Sequence, residues 1–559
     1  MKLSGTEIIV ECLKKEKVEV VFGIPGGAIM PLYDTIYQKA TFTHILTKHE
    51  QGAVHAADGY ARATGKVGVC IATSGPGATN LVTGLANAYL DSIPIVAFTG
   101  QVISPLIGTD AFQEVDIIGI TLPITKNNYL VMDIKELAPI IKEAFYLARN
   151  GRPGPILIDL PKDIQLAQTE FHYPENYHCS GYQPKWKGNL NQIKKAAQAI
   201  QEAKKPIIYG GGGIINANAS EELREFIQKT NIPVTTTLMG LGSFPAEHPL
   251  SLGMLGMHGS YYANMAISEA DLIIALGTRF DDRVTGNTKD FCPQAKFIQV
   301  DIDPAEISKI IRVDIPIVGD LKYVLTKLIQ LVEPKQEKDW LNRIATLKEN
   351  NPFKYRKDNN HLRPQYIIEK LYELTKGESI IVTDVGQHQM WVAQYYRFGH
   401  PRSCISSGGL GTMGFGLPAA IGAQIGCPEK RVICIAGDGG FQMNIQELAT
   451  AIHNKVPLVV LIMNNGYLGM VRQWQELFFG KRYASTSLEG SPDFAQLVQV
   501  YGGKGIRVST IDGFNSALVQ ALSERQFFLI DCLIPPEENV FPMVAPGEPI
   551  NKMLGGNES

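Results

Sequence analysis

The sequence predicts an α/β protein of three domains with parallel sheets, in which the first and third domains share one topology. Short β-branched runs alternate with helix-length segments, which is typical of parallel strands joined by crossover helices. The segment CIATSGPG at Cys70 matches CIAGDGG at Cys434, and IPIVAF at Ile93 matches VPLVVL at Val456 with nearly the same internal spacing. This repeat predicts two equivalent domains around a different middle one.

The N-terminal domain is predicted to begin with a helix. Ser4 and Glu7 have the S-x-x-E spacing of a capping box, and apolar residues then recur at helical intervals. Strand-like runs follow in each domain in turn: VEVVFGIPGG, VGVCIATSGPG, IPIVAFTG and GPILIDLP; then PIIYGGGG, ADLIIALGTRF and AKFIQVDIDP; and finally SIIVTDVG, RVICIAGDGG and VPLVVLIMNNG.

The length of 559 residues fits three such domains. A domain usually takes about 100–200 residues, so a single small module is excluded. Two stretches rich in polar, proline or charged residues, at 166–190 and 333–363, indicate linkers. The expected domains are therefore residues 1–165, 190–332 and 364–545.

Composition excludes several classes of function. The 52 basic and 55 acidic residues leave a net charge of −3, which argues against nucleic acid or an anionic membrane as the main partner. The eight cysteines form no C-x-x-C pair, so neither a zinc site nor a disulfide framework is predicted. Without a signal segment or an apolar run of about 18 residues, we expect a cytoplasmic protein, or a stromal one if a plastid encodes it.

Polar residues end two neighbouring strands of the predicted C-terminal sheet. Asp438 follows the run RVICIA, and Asn465 follows VPLVVLIM. Because the carboxyl ends of parallel strands meet at one edge, a carboxylate and an amide oxygen would converge there as ligands for Mg²⁺ bound to phosphate. A helix expected to start near Gln442 would point its positive end at the same place. The glycines that would let backbone N–H groups approach a diphosphate are Gly437, Gly439 and Gly440.

Two further patterns match known motifs only superficially. His49 and Glu50 begin a zinc-protease pattern, but the position of its second histidine is Ala53. Residues 409–414 satisfy G-x-G-x-x-G, yet they follow a polar segment and no acidic residue ends a strand about 20 residues later. Neither a metalloprotease helix nor a nicotinamide site is therefore predicted at these positions.

The GDG motif, a spacer of one helix and one strand, and the NN motif resemble the thiamine diphosphate enzyme family. Over essentially the whole chain, the resemblance is greatest to the acetohydroxyacid synthases of that family. It implies that the N- and C-terminal domains share the thiamine-diphosphate-binding topology and flank an FAD-binding middle domain. The segments that carry the resemblance are residues 21–34, 45–68, 73–80, 106–114, 151–163, 277–286, 409–423 and 464–475.

The resemblance implies a thiamine diphosphate site shared by the two duplicated domains. Asp438, Asn465 and the backbone carbonyl of Tyr467 would bind Mg²⁺, and Glu50 would contact the aminopyrimidine ring. A carboxyl group there favours the imino tautomer of the ring, which can remove the thiazolium C2 proton. Met413 would bend the cofactor, although packing in the core is the alternative for this side chain. The other implied contacts of the cofactor are Gly27, Gln387, His388, Gly411, Gly437, Gly439, Gly440 and Met470.

Further site residues also come from the resemblance. Gln113 and Lys162 are expected in the active site, and Phe112 and Val471 in the substrate pocket. Trp474 would narrow the acceptor pocket in favour of 2-ketobutyrate, unless it is a buried core residue. The implied FAD contacts are Arg152, Gly211, Gly212, His258, Arg279, Asp281, Asp301, Asp303 and Asp320.

Physical chemistry gives some of the FAD contacts a reason. An arginine such as Arg279 could meet the phosphates, and Asp301 and Asp303, at a strand end, suit ribose hydroxyls. A salt-bridged surface between domains would use the same charges, so that alternative stays open.

The implied activity is decarboxylation of pyruvate and condensation with a second 2-ketoacid, pyruvate or 2-ketobutyrate. The products, 2-acetolactate or 2-aceto-2-hydroxybutyrate, lead to branched-chain amino acids. A homodimer or tetramer and a small regulatory subunit are the expected partners. Three alternatives are a flavin-dependent pyruvate oxidase on the same scaffold, an NAD-linked oxidoreductase, and a flavin-binding interaction protein without catalysis.

Overall fold

The N-terminal part of the chain forms a six-stranded parallel sheet in the order β3-β2-β4-β5-β7-β6, with β1 and β8 paired beside it. The computed structural model describes residues 1–175, 177, 179, 181–357 and 361–555. The strands are β1 (Lys2–Ser4), β2 (Val20–Gly23), β3 (Thr43–Leu46), β4 (Gly68–Ala72), β5 (Ile95–Gln101), β6 (Asn127–Leu130), β7 (Pro155–Pro161) and β8 (Gln168–Glu170). The helices are α1 (Gly5–Lys15), α2 (Met30–Lys39), α3 (Glu50–Thr64), α4 (Pro76–Thr79), α5 (Val82–Asp91), α6 (Ile117–Thr121), α7 (Ile134–Arg149) and α8 (Lys162–Leu166).

The middle part forms a second parallel sheet in the order β11-β10-β9-β12-β13-β14. Successive strands are added outward on one side from β9 and on the other side from β12, so the strand order reverses between these two parallel strands, as in dinucleotide-binding folds. The strands are β9 (Pro206–Gly210), β10 (Val234–Thr236), β11 (Ser251–Met254), β12 (Leu272–Leu276), β13 (Lys296–Asp301) and β14 (Ile315–Val318). The helices are α9 (Leu190–Glu202), α10 (Gly212–Asn216), α11 (Ser220–Thr230), α12 (Tyr261–Glu269), α13 (Asp282–Thr285), α14 (Leu321–Leu331) and α15 (Lys338–Asn350).

The C-terminal part forms a third parallel sheet in the order β16-β15-β17-β18-β20-β19, and a small hairpin follows it. The strands are β15 (Ile380–Thr383), β16 (Cys404–Ile405), β17 (Val432–Gly437), β18 (Val459–Asn464), β19 (Lys504–Val508), β20 (Phe528–Leu533), β21 (Met543–Val544) and β22 (Met553–Leu554). The helices are α16 (Pro364–Thr375), α17 (Gln387–Tyr395), α18 (Gly416–Gly426), α19 (Asp438–Met443), α20 (Glu447–His453), α21 (Gly469–Phe478), α22 (Phe494–Val500) and α23 (Ile511–Ser523).

The first and third sheets have the same topology, which confirms the predicted duplication. Numbered within its own domain, each sheet runs 2-1-3-4-6-5 from edge to edge. The matched segments at Cys70 and Cys434 occupy β4 and β17, the third strand of each sheet. The expected α/β class with three domains is therefore confirmed, whereas the residue numbers of the boundaries stay a prediction.

Local signals in the sequence account for some elements and not for others. The capping box at the start of α1 is present, because Ser4 accepts the N–H of Glu7 and Glu7 accepts the N–H of Ser4. The helix expected near Gln442 begins earlier, at Asp438, because the chain turns into a helix directly after β17. Both expected linkers also contain regular structure, since β8 pairs with β1 and α15 buries Trp340 against the middle domain.

The N- and C-terminal domains of one chain pack through a glycine contact between α3 and α18. A Cβ atom on Gly59 would lie 2.0 Å from the backbone oxygen of Ala419, and one on Gly422 would lie 1.8 Å from that of Ala56. Only glycine permits so close an approach of two helix backbones. The two duplicated domains are thus pressed together within the chain.

Beside this contact lies a buried ion cluster. Arg62 forms ion pairs with Asp58 and with Asp91, the latter at 2.9 Å, and all three side chains are at most 5% exposed. Asn87 also donates to Asp58, at 3.0 Å. A buried charge is stable only when paired, so the three ionised groups depend on one another.

We expect Arg62→Met to lower the free energy of unfolding by about 3–5 kcal/mol, because it leaves two buried carboxylates without their cation. Urea denaturation followed by circular dichroism measures this. The matched control is Lys66→Met, which removes an exposed ion pair with Glu19 and should cost less than about 1 kcal/mol. Equal losses in the two variants would contradict the role of burial.

Within the described ranges, no helix combines the length and the apolar character needed to cross a membrane. In the same ranges the cysteines are free thiols, and no group of three His, Cys, Asp or Glu side chains is placed to hold a metal ion. A metal site in this part of the chain therefore needs other ligands, such as amide oxygens, backbone carbonyls or phosphate.

Candidate functional site

A cavity of about 890 Å³ lies at the carboxyl ends of the strands of the middle and C-terminal sheets, and residues of the N-terminal domain such as Arg62 and Asp91 also line it. Open α/β sheets bind ligands at this edge. The C-terminal residues predicted from the sequence that line it are Gln387, His388, Gly411, Met413, Gly437, Asp438, Gly439, Gly440, Asn465, Tyr467, Met470, Val471 and Trp474. The N-terminal domain contributes Arg152, and the middle part contributes Gly211, Gly212, His258, Arg279, Asp281, Asp301 and Asp320.

Asp438 and Asn465 meet at one end of the cavity because β17 and β18 are adjacent and parallel. Asp438 is buried, and burial raises the pKa of its carboxyl to about 7. Its Oδ2 atom has no hydrogen-bond partner among the described residues. The side-chain oxygen of Asn465 accepts the N–H of Tyr467 at 3.0 Å, which fixes the turn that carries the Tyr467 carbonyl. One unpaired carboxylate oxygen beside an amide and a carbonyl suits Mg²⁺ with phosphate.

Gln387 and His388 begin α17 beside this site. His388 is buried and lies next to Gly437, where an added Cβ would come within 3.1 Å of its Nδ1. Burial lowers the pKa of His388 to about 4, so the ring is neutral at pH 7. Its Nε2 atom is unpartnered in the described structure and is available to an oxygen-rich ligand. Gln387 is held by hydrogen bonds to Gln473 at 2.9 Å and to the backbone of Glu538 at 3.0 Å.

Three apolar side chains face the cavity from two other segments. Met413 lies opposite Gly439, where an added Cβ would be 3.7 Å from the methionine methyl group. Trp474, on α21, is partly exposed and packs edge-on against Phe478 at 5.8 Å between ring centres. Val471, one turn earlier, is 48% exposed. These side chains form an apolar wall next to the polar end of the cavity.

Five predicted residues of the N-terminal domain do not line this cavity in the described structure. Glu50 begins α3, and its carboxylate accepts a hydrogen bond from Asn80 at 2.9 Å. The backbone of Gln113, with φ of 59°, lies against Gly75. All five follow strands of the first sheet on its carboxyl edge. They are Gly27, Glu50, Phe112, Gln113 and Lys162.

The middle sheet presents a glycine cradle where its strand order reverses. A Cβ on Gly211 would lie 2.2 Å from the carbonyl oxygen of Gly277, so the ends of β9 and β12 leave room only for backbone. Buried polar atoms face this region without partners in the described residues, namely Oγ1 of Thr278 and Nδ1 of His258. Asp320 caps α14 at the same edge through a 3.0 Å bond from the N–H of Tyr323. A ligand with phosphates and hydroxyl groups fits these features.

The charged residues between the domains are paired with one another. Arg152 contacts Glu306 at 2.7 Å and Asp303 at 3.3 Å, and it also donates to Ser92 at 2.8 Å. Asp303 is absent from the described lining of the cavity, so the alternative of a salt-bridged surface describes this residue better than ligand contact. Asp301 does line the cavity, and burial raises its pKa to about 6.

Several residues that line the cavity were not predicted from the sequence, because they belong to no recognisable motif. Gln389 directly follows the predicted residues Gln387 and His388 on α17. Its place on the same helix is therefore the feature that could have predicted it. Met239, in a short 3-10 helix, and Arg402, in a loop, belong to different domains, and only the packing of those domains brings them to the cavity.

Comparison with known families agrees with this architecture. The model described as "Thiamine pyrophosphate enzyme, N-terminal TPP binding domain" matches residues 3–120, and the one for the central domain matches residues 193–328. The model for the C-terminal TPP binding domain matches residues 384–532. Fold, cavity and models together define a thiamine diphosphate enzyme.

Relatives identify the branch of that class. The acetolactate synthase large subunit of Buchnera aphidicola subsp. Schizaphis graminum is 50% identical over 560 residues, covering 99% of this chain and 98% of that protein. The isozyme 3 large subunit of Escherichia coli K12 is 46% identical, with coverage of 99% and 98%. The large subunit of Cyanidium caldarium is 48% identical, with coverage of 99% and 97%. The chain belongs to the acetolactate synthase large-subunit family.

Proposed function

We propose that this chain decarboxylates pyruvate and joins the remaining two-carbon unit to a second 2-ketoacid, giving 2-acetolactate from pyruvate or 2-aceto-2-hydroxybutyrate from 2-ketobutyrate. The observation that carries the proposal is one continuous cavity that runs from the glycine cradle of the middle sheet to Asp438 and Trp474. The names of the relatives support synthesis of acetolactate over the oxidase alternative.

Thiamine diphosphate and Mg²⁺ are the proposed cofactors of the C-terminal end of the cavity. Asp438, Asn465 and the Tyr467 carbonyl would hold the metal, and the unpaired atoms of Asp438 and His388 fit a cation and a diphosphate. Bound thiamine diphosphate would supply a nucleophilic C2 carbanion that adds to pyruvate and a cationic thiazolium ring that takes up the electron pair left by loss of CO₂. The neutral His388 ring can donate to a phosphate oxygen without adding charge. Gly411 and Met413 would orient the cofactor from the facing loop.

FAD is the proposed ligand of the middle sheet, with a structural role. The strand order that reverses at β9 and β12 supports a dinucleotide. The contacts proposed for it are Arg152, Gly211, Gly212, His258, Arg279, Asp281, Asp301 and Asp320. Asp303 would act by holding Arg152 rather than by touching the ligand.

A second copy of the chain is needed to complete the site. Glu50, Gln113 and Lys162 lie outside the cavity that contains Asp438 in the same chain. Phe112 is 88% exposed, and Ile103 and Leu106 of the same loop are also exposed, so an apolar surface surrounds these residues. We expect a homodimer in which Glu50 of one copy faces Asp438 of the other, as symmetry then completes two sites. The carboxyl group of Glu50 would hold the proton exchanged with the aminopyrimidine ring.

Other partners and the compartment remain proposals. A small regulatory subunit is the expected further partner, supported by the term "large subunit" in the names of the relatives. A dimer of dimers is the alternative assembly. The proposed location is the cytoplasm, or the plastid stroma if the chain is organelle-encoded.

The experiment that tests the function uses purified protein with pyruvate, Mg²⁺, FAD and thiamine diphosphate. Acetolactate and oxygen uptake are followed together, and thiamine diphosphate is omitted as the control. We expect cofactor-dependent acetolactate with little oxygen uptake. Oxygen consumption in proportion to pyruvate, with acetyl products, would instead establish the flavin-dependent oxidase.

Replacement of Trp474 should change the choice of acceptor. In Trp474→Leu we expect 2-ketobutyrate to lose preference over pyruvate by about 10-fold or more, because a single methylene in a fitted apolar pocket is worth about 1–3 kcal/mol. Competition between the two acceptors, with both products quantified, measures the ratio. The control is Phe479→Leu, because Phe479 follows the same helix, is 53% exposed and is not part of the described cavity lining. An unchanged product ratio in Trp474→Leu would contradict the assignment.

A further inference from the structure

A carboxylate of the N-terminal domain holds the loop that carries Met413 through two hydrogen bonds. Asp91 is the last residue of α5, and its side chain is 2% exposed. Its Oδ1 atom accepts the N–H of Gly409 at 2.7 Å, and its Oδ2 atom accepts the N–H of Gly408 at 3.0 Å. A carboxylate that accepts two backbone N–H groups makes strong, charge-assisted hydrogen bonds. The contact joins residues that are more than 300 positions apart in sequence.

Arg62 and Asn87 make further contacts that fix Asp91 and bind other residues of the same loop. Arg62 binds the Asp91 carboxylate at 2.9 Å and donates to the backbone oxygen of Ser406 at 2.8 Å. Asn87, one turn before Asp91, accepts from Ser407 at 2.6 Å and from Thr412 at 3.2 Å. One face of α5 therefore holds the loop on both sides of Gly411.

The far end of the same loop has its own anchor within the C-terminal domain. The buried carboxylate of Asp384 accepts the N–H groups of Gly414 at 3.0 Å and Gly416 at 2.9 Å. Met413 thus lies between two carboxylate anchors. The Asp384 anchor belongs to the same domain as the loop, whereas the Asp91 anchor comes from another domain.

We infer that Asp91 is a positioning residue for thiamine diphosphate, which it serves by holding residues 408–413 so that Gly411 and Met413 face the cofactor. The inference rests on the proposed function. It gives the N-terminal domain two tasks, since its Glu50 completes the site of a second copy while its Asp91 shapes the site of its own chain.

The test compares the wild type with Asp91→Asn. Asparagine keeps the shape of the side chain but replaces one acceptor oxygen with an NH₂ group, so one backbone N–H loses its partner and the ion pair with Arg62 is lost. Asp34→Asn is the matched control, because Asp34 is an exposed residue of the same domain that contacts Gln38. Amide hydrogen exchange of the loop peptide is measured without cofactor, and dissociation constants are measured for thiamine diphosphate with Mg²⁺ and for FAD.

We expect faster exchange across residues 408–413 in Asp91→Asn. We also expect thiamine diphosphate to bind about 10-fold more weakly, the scale of one lost charge-assisted hydrogen bond. FAD affinity should stay within about two-fold, since the FAD contacts proposed above lie outside this loop, and Asp34→Asn should match the wild type throughout. Unchanged exchange, unchanged thiamine diphosphate affinity, or an equal loss of FAD affinity would each overturn the inference.

Ser407→Ala provides a milder variant if Asp91→Asn does not fold. It removes the hydrogen bond to Asn87 and the acceptor of the Thr412 N–H, and leaves the ion cluster intact. Weaker binding of thiamine diphosphate by about three-fold, with faster loop exchange, would support the inference, and wild-type values for both would overturn it. If the wild type itself does not bind thiamine diphosphate, the proposed function fails and the positioning role fails with it.

Discussion

Glu50→Gln is expected to reduce acetolactate formation by about 10²–10⁴-fold, the usual contribution of a general acid–base group. Glutamine fills the same space and can still accept the hydrogen bond from Asn80, so the start of α3 should keep its structure. What it cannot do is hold and return the proton of the aminopyrimidine ring. Steady-state rates measure the loss, and exchange of the thiazolium C2 proton for deuterium locates it before the first bond is formed.

The control for this variant is Glu11→Gln, which alters a surface ion pair with Lys14 in the same domain. It should leave both the rate and the proton exchange unchanged. A Glu50→Gln protein that turns over pyruvate at the wild-type rate would exclude Glu50 from the mechanism. A protein that exchanges the C2 proton normally but forms no product would move its role to a later step.

Asp438→Asn is expected to lower the affinity for Mg²⁺ and thiamine diphosphate by about 100-fold or more. Replacement of residues that only hydrogen-bond to metal ligands typically changes metal affinity about 10–100-fold, and Asp438 would be a direct ligand with the negative charge that the cation needs. Calorimetric titration with thiamine diphosphate at fixed Mg²⁺ measures the change. Asp512→Asn, an exposed residue of the same domain, is the control and should bind normally. Normal affinity in Asp438→Asn would exclude the metal site.

Co-expression of the two inactive variants tests whether the site is shared between copies. If the site is shared, a mixed dimer brings the Asp438 of one chain to the Glu50 of the other, and one of its two sites is intact. Random pairing makes about half of the dimers mixed, so about a quarter of wild-type activity should return. If both residues act within one chain, every site carries a defect and no activity returns.

The sequence predicted those features that depend on local rules. The capping box at Ser4 depends on neighbours in sequence, and the alignment of Cys70 with Cys434 reports a duplicated strand order. The start of α19 at Asp438 was placed too late, because the glycines of GDGG favour a turn by propensity while the end of β17 leads directly into a helix.

Contacts between domains were beyond prediction from one sequence. The hydrogen bonds from Gly408 and Gly409 to Asp91 form where α5 of the N-terminal domain packs against a loop of the C-terminal domain. No periodicity in the sequence indicates that these two segments are in contact. Similarly, the pairing of Arg152 with Glu306 and Asp303 satisfies charges that the sequence could assign equally well to a ligand. The candidate residues at strand ends were predictable because topology, rather than packing detail, places them.

The glycine contact between α3 and α18 has a consequence for how activity depends on protein concentration. Gly59 and Gly422 hold the duplicated domains of one chain in close contact, and Glu50 lies outside the cavity that contains Asp438 of the same chain. An isolated chain is therefore expected to be folded but inactive. Activity per chain is then expected to depend on the fraction of chains in dimers. A condition that shifts the monomer–dimer equilibrium would change the number of active sites and leave the activity of each site unchanged.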